Sequence, residues 1–153
     1  MDHQTRVTAD GVLRVLLIDS DEEDATRSEA GLRQRLGDRV HVTRAHSLAQ
    51  SIRELMETAF DAIVVELGVP DSSGIATLAG VRGAAPTVPI VVYTRDLDDA
   101  TAIRAIRAGA HECLAKSDLP ADALARMLGF AVERQRRLAT LEAGDLAEGD
   151  RFE

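Results

Sequence analysis

The stretch Asp61–Gly74, DAIVVELGVPDSSG, constrains the fold more than any other part of the chain. It reads as a short apolar strand, Ala62–Val65, ended by an acid, Glu66. Turn residues follow at Gly68, Pro70, Asp71, Ser72, Ser73 and Gly74. A strand that is apolar on both faces belongs in a parallel sheet covered by helices on each side. In open sheets of that kind, chemistry gathers at the carboxyl ends of the strands, which is where Glu66 stands.

The rest of the chain repeats the alternation. Leu13–Ile18 (LRVLLI) predicts the first strand and is followed directly by Asp19. The acidic run Asp19–Asp24 opens a helix expected over Glu22–Leu36, because acids and Ser at a helix N-terminus satisfy free N–H groups and oppose the dipole. Gly37 is its stop. Val40–Ala45 alternates more, as an edge strand does. Ser47 is placed to cap the next helix, with Gln50 in the capping-box position. A third helix is expected over Ser73–Arg82, a fourth strand over Pro89–Thr94 and a fourth helix from Asp98 to Gly109. A short fifth strand spans Glu112–Lys116, and Pro120 starts the fifth helix. Five strands alternating with five helices predict a flavodoxin-like, doubly wound (βα)5 fold with strand order 2-1-3-4-5 and an extended C-terminal helix. The expected division is a frayed lead-in over 1–10, the domain over 11–130, and a helical extension with an acidic tail over 131–153.

Composition narrows the function. A net charge of −8 over 153 residues argues against a broad nucleic-acid footprint. The single cysteine, Cys113, allows no intrachain disulfide, so a reducing cytoplasm is the expected setting. The N-terminus has no apolar signal core, and no apolar run approaches the roughly 20 residues of a membrane helix. His3, His41, His46 and His111 show no ligand spacing, so no metal site is read from them. Cys113 reads as a small buried apolar residue. No G-x-G-x-x-G or P-loop follows the first strand, and there is no Ser-His-Asp elbow.

The predicted fold brings Asp19, Ser20, Glu66, Thr94 and Lys116 to one crevice. These residues in this order, with PDSSG after Glu66 and AGAHECLAK before Ser117, resemble a response-regulator receiver domain (the CheY-like superfamily) over about residues 11–130. The resemblance implies two-component, phosphorelay-type signalling, typically bacterial, with the phosphoryl group taken from a histidine kinase onto an Asp after strand 3. Two acids after strand 1 would help hold Mg²⁺, a Thr or Ser on strand 4 and a Lys on strand 5 would contact the phosphoryl oxygens, and an aromatic residue on strand 5 would rearrange with the Thr. The signal would leave through helix 4, strand 5 and helix 5.

Asp19, Thr94 and Lys116 match that pattern, and the other positions depart from it. Ser20 stands where a second acid is expected, Glu66 at the acceptor, and Cys113 at the aromatic switch. Ser117 replaces the Pro that usually follows the lysine. The usual cis bond there costs a non-proline residue ~3 kcal/mol, so a different local loop is expected. Mg²⁺ prefers hard oxygen ligands in octahedral geometry, and Ser20 removes a charged one. The extra methylene of Glu66 moves its carboxylate into space a metal and phosphoryl group would fill. In-line transfer also suffers ~100-fold from a one-ångström error. Asp21 could replace Ser20 as a ligand only if the loop shifts by one residue. A Glu66–Lys116 ion pair is expected in place of the phosphoryl–lysine contact. It reads by default as a structural bridge, with a carboxylate mimic of the phosphoryl group as the other possibility.

The first functional reading is therefore a non-enzymatic, phosphorylation-independent pseudo-receiver with no cofactor, acting through a protein partner or a dimer. The alternative is a working Mg²⁺-dependent phosphoacceptor that uses Glu66. A third reading, a small-ligand module in the acidic crevice, is disfavoured by the missing phosphate loop. In the tail, Leu124, Leu128, Ala131, Gln135 and Leu138 follow 4-3-4-3 spacing, so the segment from Glu133 onward is a candidate dimer or linker helix. Glu142–Glu153 carries five acids against one Arg and is predicted to be disordered. Neither a nucleic-acid nor a membrane partner is expected. The chain is read as either a stand-alone receiver or a piece of a longer protein.

Overall fold

The computed structural model describes residues 11–151, with side chains to residue 144. The expected frayed lead-in over 1–10 lies outside the described residues. Strands β1 (Leu13–Ile18), β2 (Val40–Ala45), β3 (Ala62–Val65), β4 (Ile90–Thr94) and β5 (Glu112–Ala115) form one sheet in the order β2-β1-β3-β4-β5. Every pairing is parallel. Helices α1 (Glu22–Leu36), α2 (Leu48–Glu57), α3 (Ile75–Ala84), α4 (Asp99–Arg107) and α5 (Ala121–Arg151) connect and cover it. This is the flavodoxin-like fold predicted from the strand pattern.

Strands β3 and β4 are buried along their whole length, and β1 from Val15 onward, because both faces are covered. On one face Val15, Leu17, Val64, Val91 and Tyr93 pack with Ala25 and Leu32 of α1 and Leu124, Leu128 and Ala131 of α5. On the other, Leu16, Ile18, Ile63, Val65 and Val92 pack with Leu78 and Val81 of α3 and Ala105 of α4. Leu48 and Leu55 of α2 close that side. Helices α1 and α5 meet so closely that a Cβ on Gly31 would lie 2.1 Å from the Ala121 carbonyl oxygen. A helix-weakening glycine is the only residue that permits this contact.

The helix ends follow the expected chemistry, with one change. Asp21 caps α1 by accepting from the Asp24 N–H, and Gly37 ends the helix at φ 56°. Ser47 caps α2 through the Gln50 N–H, but the Gln50 side chain accepts from His46 N–H instead of from the cap residue. Helix α3 begins at Ile75, two residues later than predicted, because Val69 and Ser72 bridge each other across the loop. Among the described residues no peptide bond is cis, so Lys116–Ser117 is trans.

The tail differs from expectation. Helix α5 does not end before an acidic coil but runs through Glu142 to Arg151. Helix nucleation is the costly step, and here the packed segment around Leu124 and Leu128 supplies it. Ala139, Leu141, Glu142 and Ala143 then propagate it as good helix formers. Among the described residues no helix is long and apolar enough to cross a membrane.

Candidate functional site

The ladder hydrogen bonds run one step beyond the strands and set the site residues level with each other. Asp19 N–H donates to the Ala45 carbonyl, Glu66 N–H to that of Ile18 and Lys116 N–H to that of Thr94. The residue after β1, β3 and β5 is thus fixed by the same ladder as its strand. The loop after Glu66 is also fixed. The Thr77 hydroxyl donates to the Leu67 carbonyl, and Asp71 accepts from Leu48 and Ala49 N–H at the start of α2. The acid of PDSSG therefore anchors the loop to α2 and does not enter the crevice.

Asp19, Glu66, Thr94 and Lys116 come together as the sequence predicted. The expected Glu66–Lys116 pair is present at 3.1 Å, and it belongs to a larger cluster. Lys116 Nζ also lies 2.7 Å from Asp19 and 3.0 Å from Asp24. Glu66, only 8% exposed, accepts four hydrogen bonds. Oε1 takes Lys116 Nζ and Arg95 N–H at 3.0 Å. Oε2 takes Gly68 N–H at 3.2 Å and the Thr94 hydroxyl. Ser20 and Asp21 line the same crevice, of about 410 Å³, which opens toward Gly74, Asp96 and Thr101. Cys113 does not join it. Its strand partner is Val92, and it packs against the core on the α3 and α4 face, where burial pushes its thiol pKa up.

Two members of the cluster were missed from sequence. Asp24 looked like one more acid of the helix start. It is buried, and its Oδ2 accepts from both Lys116 and Arg95. Arg95, directly after β4, reaches Asp24 at 2.6 Å and Asp21 at 3.5 Å. A signal for Asp24 was available. Asp24, Ala25, Ser28, Gly31 and Leu32 share one helical face, and all are buried. Arg95 follows a strand into a loop and carried no such signal.

The titration of the cluster follows from these contacts. Burial alone would raise the Glu66 carboxyl, but Thr94 and Lys116 outweigh it and hold the pKa below the ordinary value. Asp24 is likewise held low, with burial outweighed by its bonds to Arg95 and Lys116. Lys116 is raised, because Asp19, Asp24 and Glu66 overcome its own desolvation. Asp19 goes the other way. Its burial dominates even the bond to Lys116, so its carboxyl is held above the ordinary aspartate value.

Magnesium, which the resemblance implies, does not fit this donor set. Asp19 accepts from Asp21 N–H and Lys116. Asp21 caps α1 with one oxygen and faces Arg95 with the other. Asp24 faces Arg27 with Oδ1 and holds Arg95 and Lys116 with Oδ2, and Glu66 is fully occupied. Every carboxylate oxygen is engaged by a proton donor of the chain, and Mg²⁺ would have to displace Lys116 to gain hard ligands. Among the described residues no group of three His, Cys, Asp or Glu is arranged to hold a metal ion.

A flavodoxin-like sheet with acids, a hydroxyl and a lysine converging at its strand ends is the arrangement that the resemblance to receiver domains implies. The comparisons with known proteins give the family. The sequence model of the response regulator receiver domain matches residues 15–128, and the chain belongs to that family. It is 36% identical over 101 residues to the transcriptional regulatory protein KdpE of Mycobacterium tuberculosis, covering 66% of this chain and 44% of that one. It is 30% identical over 106 residues to the transcriptional regulatory protein ZraR of Salmonella typhimurium, covering 69% and 23%. The chain thus spans less than half the length of either relative. Among solved structures, a response regulator from Burkholderia pseudomallei with a phosphorylated aspartic acid, calcium ion and citrate aligns at TM-score 0.67 and 27% identity, covering 85% of this chain and 74% of that one. A CheY-like receiver domain protein from Methanospirillum hungatei aligns at TM-score 0.70 and 17% identity, covering 82% and 98%, and shows the fold alone.

Proposed function

We propose that this chain is a pseudo-receiver of the two-component class that signals without accepting a phosphoryl group. In this reading Glu66 stands at the acceptor position, Asp19 and Ser20 at the acidic-pocket positions, Thr94 and Cys113 at the switch positions, and Lys116 at the phosphate-contact position. The observation that carries it is the Glu66 carboxylate, which already gathers the Thr94 hydroxyl, Lys116 and two backbone N–H groups. Such donors are what a phosphoryl oxygen needs. That set favours the carboxylate-mimic role over a bare structural bridge, because a bridge needs Lys116 alone. The module then holds one state and acts by contact rather than catalysis, in the cytoplasm. Its contact face is α4, β5 and α5, where Ile103 and Ile106 are about half exposed. A dimer through α5 is the second mode of contact. The relatives named as transcriptional regulators are much longer, and DNA binding is not assigned to this chain.

The test is a titration with Mg²⁺ and beryllofluoride, an acyl-phosphate mimic, followed by NMR at Glu66, Thr94 and Lys116. No saturable shifts at millimolar metal are expected. Saturable shifts there, or a phosphoryl mass gain on Glu66 from acetyl phosphate, would establish the alternative, a working phosphoacceptor built from the retained Asp19, Thr94 and Lys116.

A further inference from the structure

Helix α5 carries a glycine that the fold does not explain. Gly129 sits inside the helix, where glycine costs about 1 kcal/mol against alanine. Gly31 of α1 has a packing reason, because a Cβ there would strike the Ala121 carbonyl. A Cβ on Gly129 would meet no atom within 4 Å. Nothing inside the domain uses the space it leaves. That space opens onto a groove of about 620 Å³ between α1 and α5. Its floor is apolar: Leu13, Leu36 and Val132 line it and pack into the core beneath. Phe130, next to Gly129, borders it and is 53% exposed.

The charges around the groove are one-sided. Four arginines line it against one acid, Glu133, which is paired with Arg136 at 3.0 Å. The guanidinium groups of Arg35, Arg39 and Arg126 have no hydrogen-bonding or ionic partner among the described residues. The helix dipole accounts for Arg35 in the last turn of α1, but near the start of α5 it disfavours Arg126. On a chain of net charge −8 these three cations form a local positive patch that no acid of the groove offsets.

The groove is separate from the surfaces described so far. Leu13 begins β1 and Leu36 ends α1, so it lies toward the amino edge of the sheet, opposite the Glu66 cluster. It is also on the sheet face covered by α1 and α5, whereas α4 covers the other.

We propose that this groove docks an acidic peptide segment of another protein. The segment sets an apolar side chain beside Phe130, approaches the helix closely at Gly129, and brings its carboxylates to Arg35, Arg39 and Arg126. Charge complementarity selects the acids. The apolar floor selects a peptide with apolar anchors over a bare polyanion, as in other helix-lined grooves. This surface is additional to the face formed by α4, β5 and α5. It does not depend on whether Glu66 accepts a phosphoryl group, which the NMR titration decides separately.

The test uses the full chain and fluorescein-labelled peptides of about three helical turns, built from Glu with Leu at i, i+3, i+4 and i+7. Anisotropy should show saturable binding, and amide shifts should gather at Arg126, Gly129 and Phe130. Lys in place of Glu, or Ala in place of Leu, should each weaken binding at least about tenfold. Arg126→Glu should weaken it about tenfold, and added salt should weaken it further. Gly129→Leu separates docking from folding. It fills open space with a better helix former, so the melting temperature should hold or rise while binding falls about tenfold. Absence of saturable binding by the Glu–Leu peptide, equal binding of all three peptides, unchanged binding by Gly129→Leu, or shifts centred on Ile103 and Ile106 overturns the proposal. So does a different occupant. Concentration-dependent shifts at Phe130 without peptide would mark a second copy, and peptide binding only after removal of residues 1–10 would mark the chain's own lead-in. Tighter binding to phosphatidylglycerol vesicles or to a DNA oligonucleotide would assign the patch to those polyanions instead.

Discussion

Lys116→Met is the substitution that most directly probes the cluster. It keeps the length of the side chain and removes the one buried cation among three acids. Lys116 is only 14% exposed at its side chain, so screening by water is weak. Removing one member of a buried charge cluster costs about 3–5 kcal/mol, because the partners are left uncompensated. The structure places this case at the low end. Asp24 keeps Arg95, and Glu66 keeps Thr94 and two backbone N–H groups. Asp19, 3% exposed, is left with only the Asp21 N–H. A loss of about 3 kcal/mol at pH 7 is therefore expected, which would lower the melting temperature by roughly 10 °C. The assay is urea unfolding at pH 7 and pH 5. Asp19 already has a raised pKa, and loss of the lysine raises it further. An acid with a raised pKa costs stability only while ionised, so the deficit of the variant should shrink toward pH 5 as Asp19 takes up a proton. Asp19→Asn in the same background should recover much of the loss. A deficit below about 1 kcal/mol, or one equal at both pH values, would falsify the assignment of Lys116 as the compensating charge.

Other outcomes follow from the same coordinates. Lys116→Met should also gain stabilisation by millimolar Mg²⁺ that the unmutated protein lacks, since it frees oxygens of Asp19, Asp24 and Glu66; a thermal shift with and without metal reads this. Glu66→Gln keeps the shape but removes the charge paired with Lys116, and should cost about 2 kcal/mol at neutral pH in chemical denaturation. Because the Glu66 pKa is lowered, its contribution is complete above the ordinary Glu value near 4.5 and is lost as pH falls through the folded value, so the variant should converge on the unmutated protein in acid. His111 is half-buried and accepts from Ile90 N–H through Nδ1 while Nε2 faces Gln135. Burial, with help from Arg82 and Arg134 and against Gln135 and Glu112, holds its pKa below 6.5. The unfolded chain then binds the extra proton first, so stability should fall as pH drops below about 6.5, and His111→Gln should flatten that slope. Gly31→Ala forces a Cβ onto the Ala121 carbonyl and should destabilise by about 3 kcal/mol in a denaturant titration.

The strands and the residues that end them were readable because one fact governs both. A strand buried on both faces must be an unbroken apolar run, so the first polar residue after it marks the carboxyl edge of the sheet. Val15–Ile18 before Asp19 and Ala62–Val65 before Glu66 are such boundaries, and Thr94 closes Ile90–Thr94 itself. Parallel pairing in register then brings these residues level, which is why Lys116 could be placed beside Glu66 from sequence order alone.

Asp24 and Arg95 escaped because their roles depend on helix rotation and on side-chain reach, and neither is written in a strand boundary. The run Asp19–Asp24 contains acids with three different fates. Asp19 ends a strand, Asp21 caps a helix, and Asp24 turns inward with Ala25 and Ser28. Composition treats them alike; only the phase of α1 separates them. That phase changes the chemistry of the site. Without Asp24 and Arg95, Lys116 would pair with Asp19 and Glu66 alone, and Asp21 would lose its cation. With Asp24 and Arg95 present, the cations that balance Asp19, Asp21, Asp24 and Glu66 come from the chain itself. Glu66 and the inward turn of Asp24 therefore act together. The first sets a carboxylate among the Thr94, Lys116 and backbone donors, and the second gives Lys116 and Arg95 the partner that holds them there. Glu66→Asp alone should accordingly leave Mg²⁺ binding weak, and Glu66→Asp with Arg95→Ala and Asp24→Ala should strengthen it, as isothermal titration with Mg²⁺ would read; strong binding by the single variant would place the whole block at position 66.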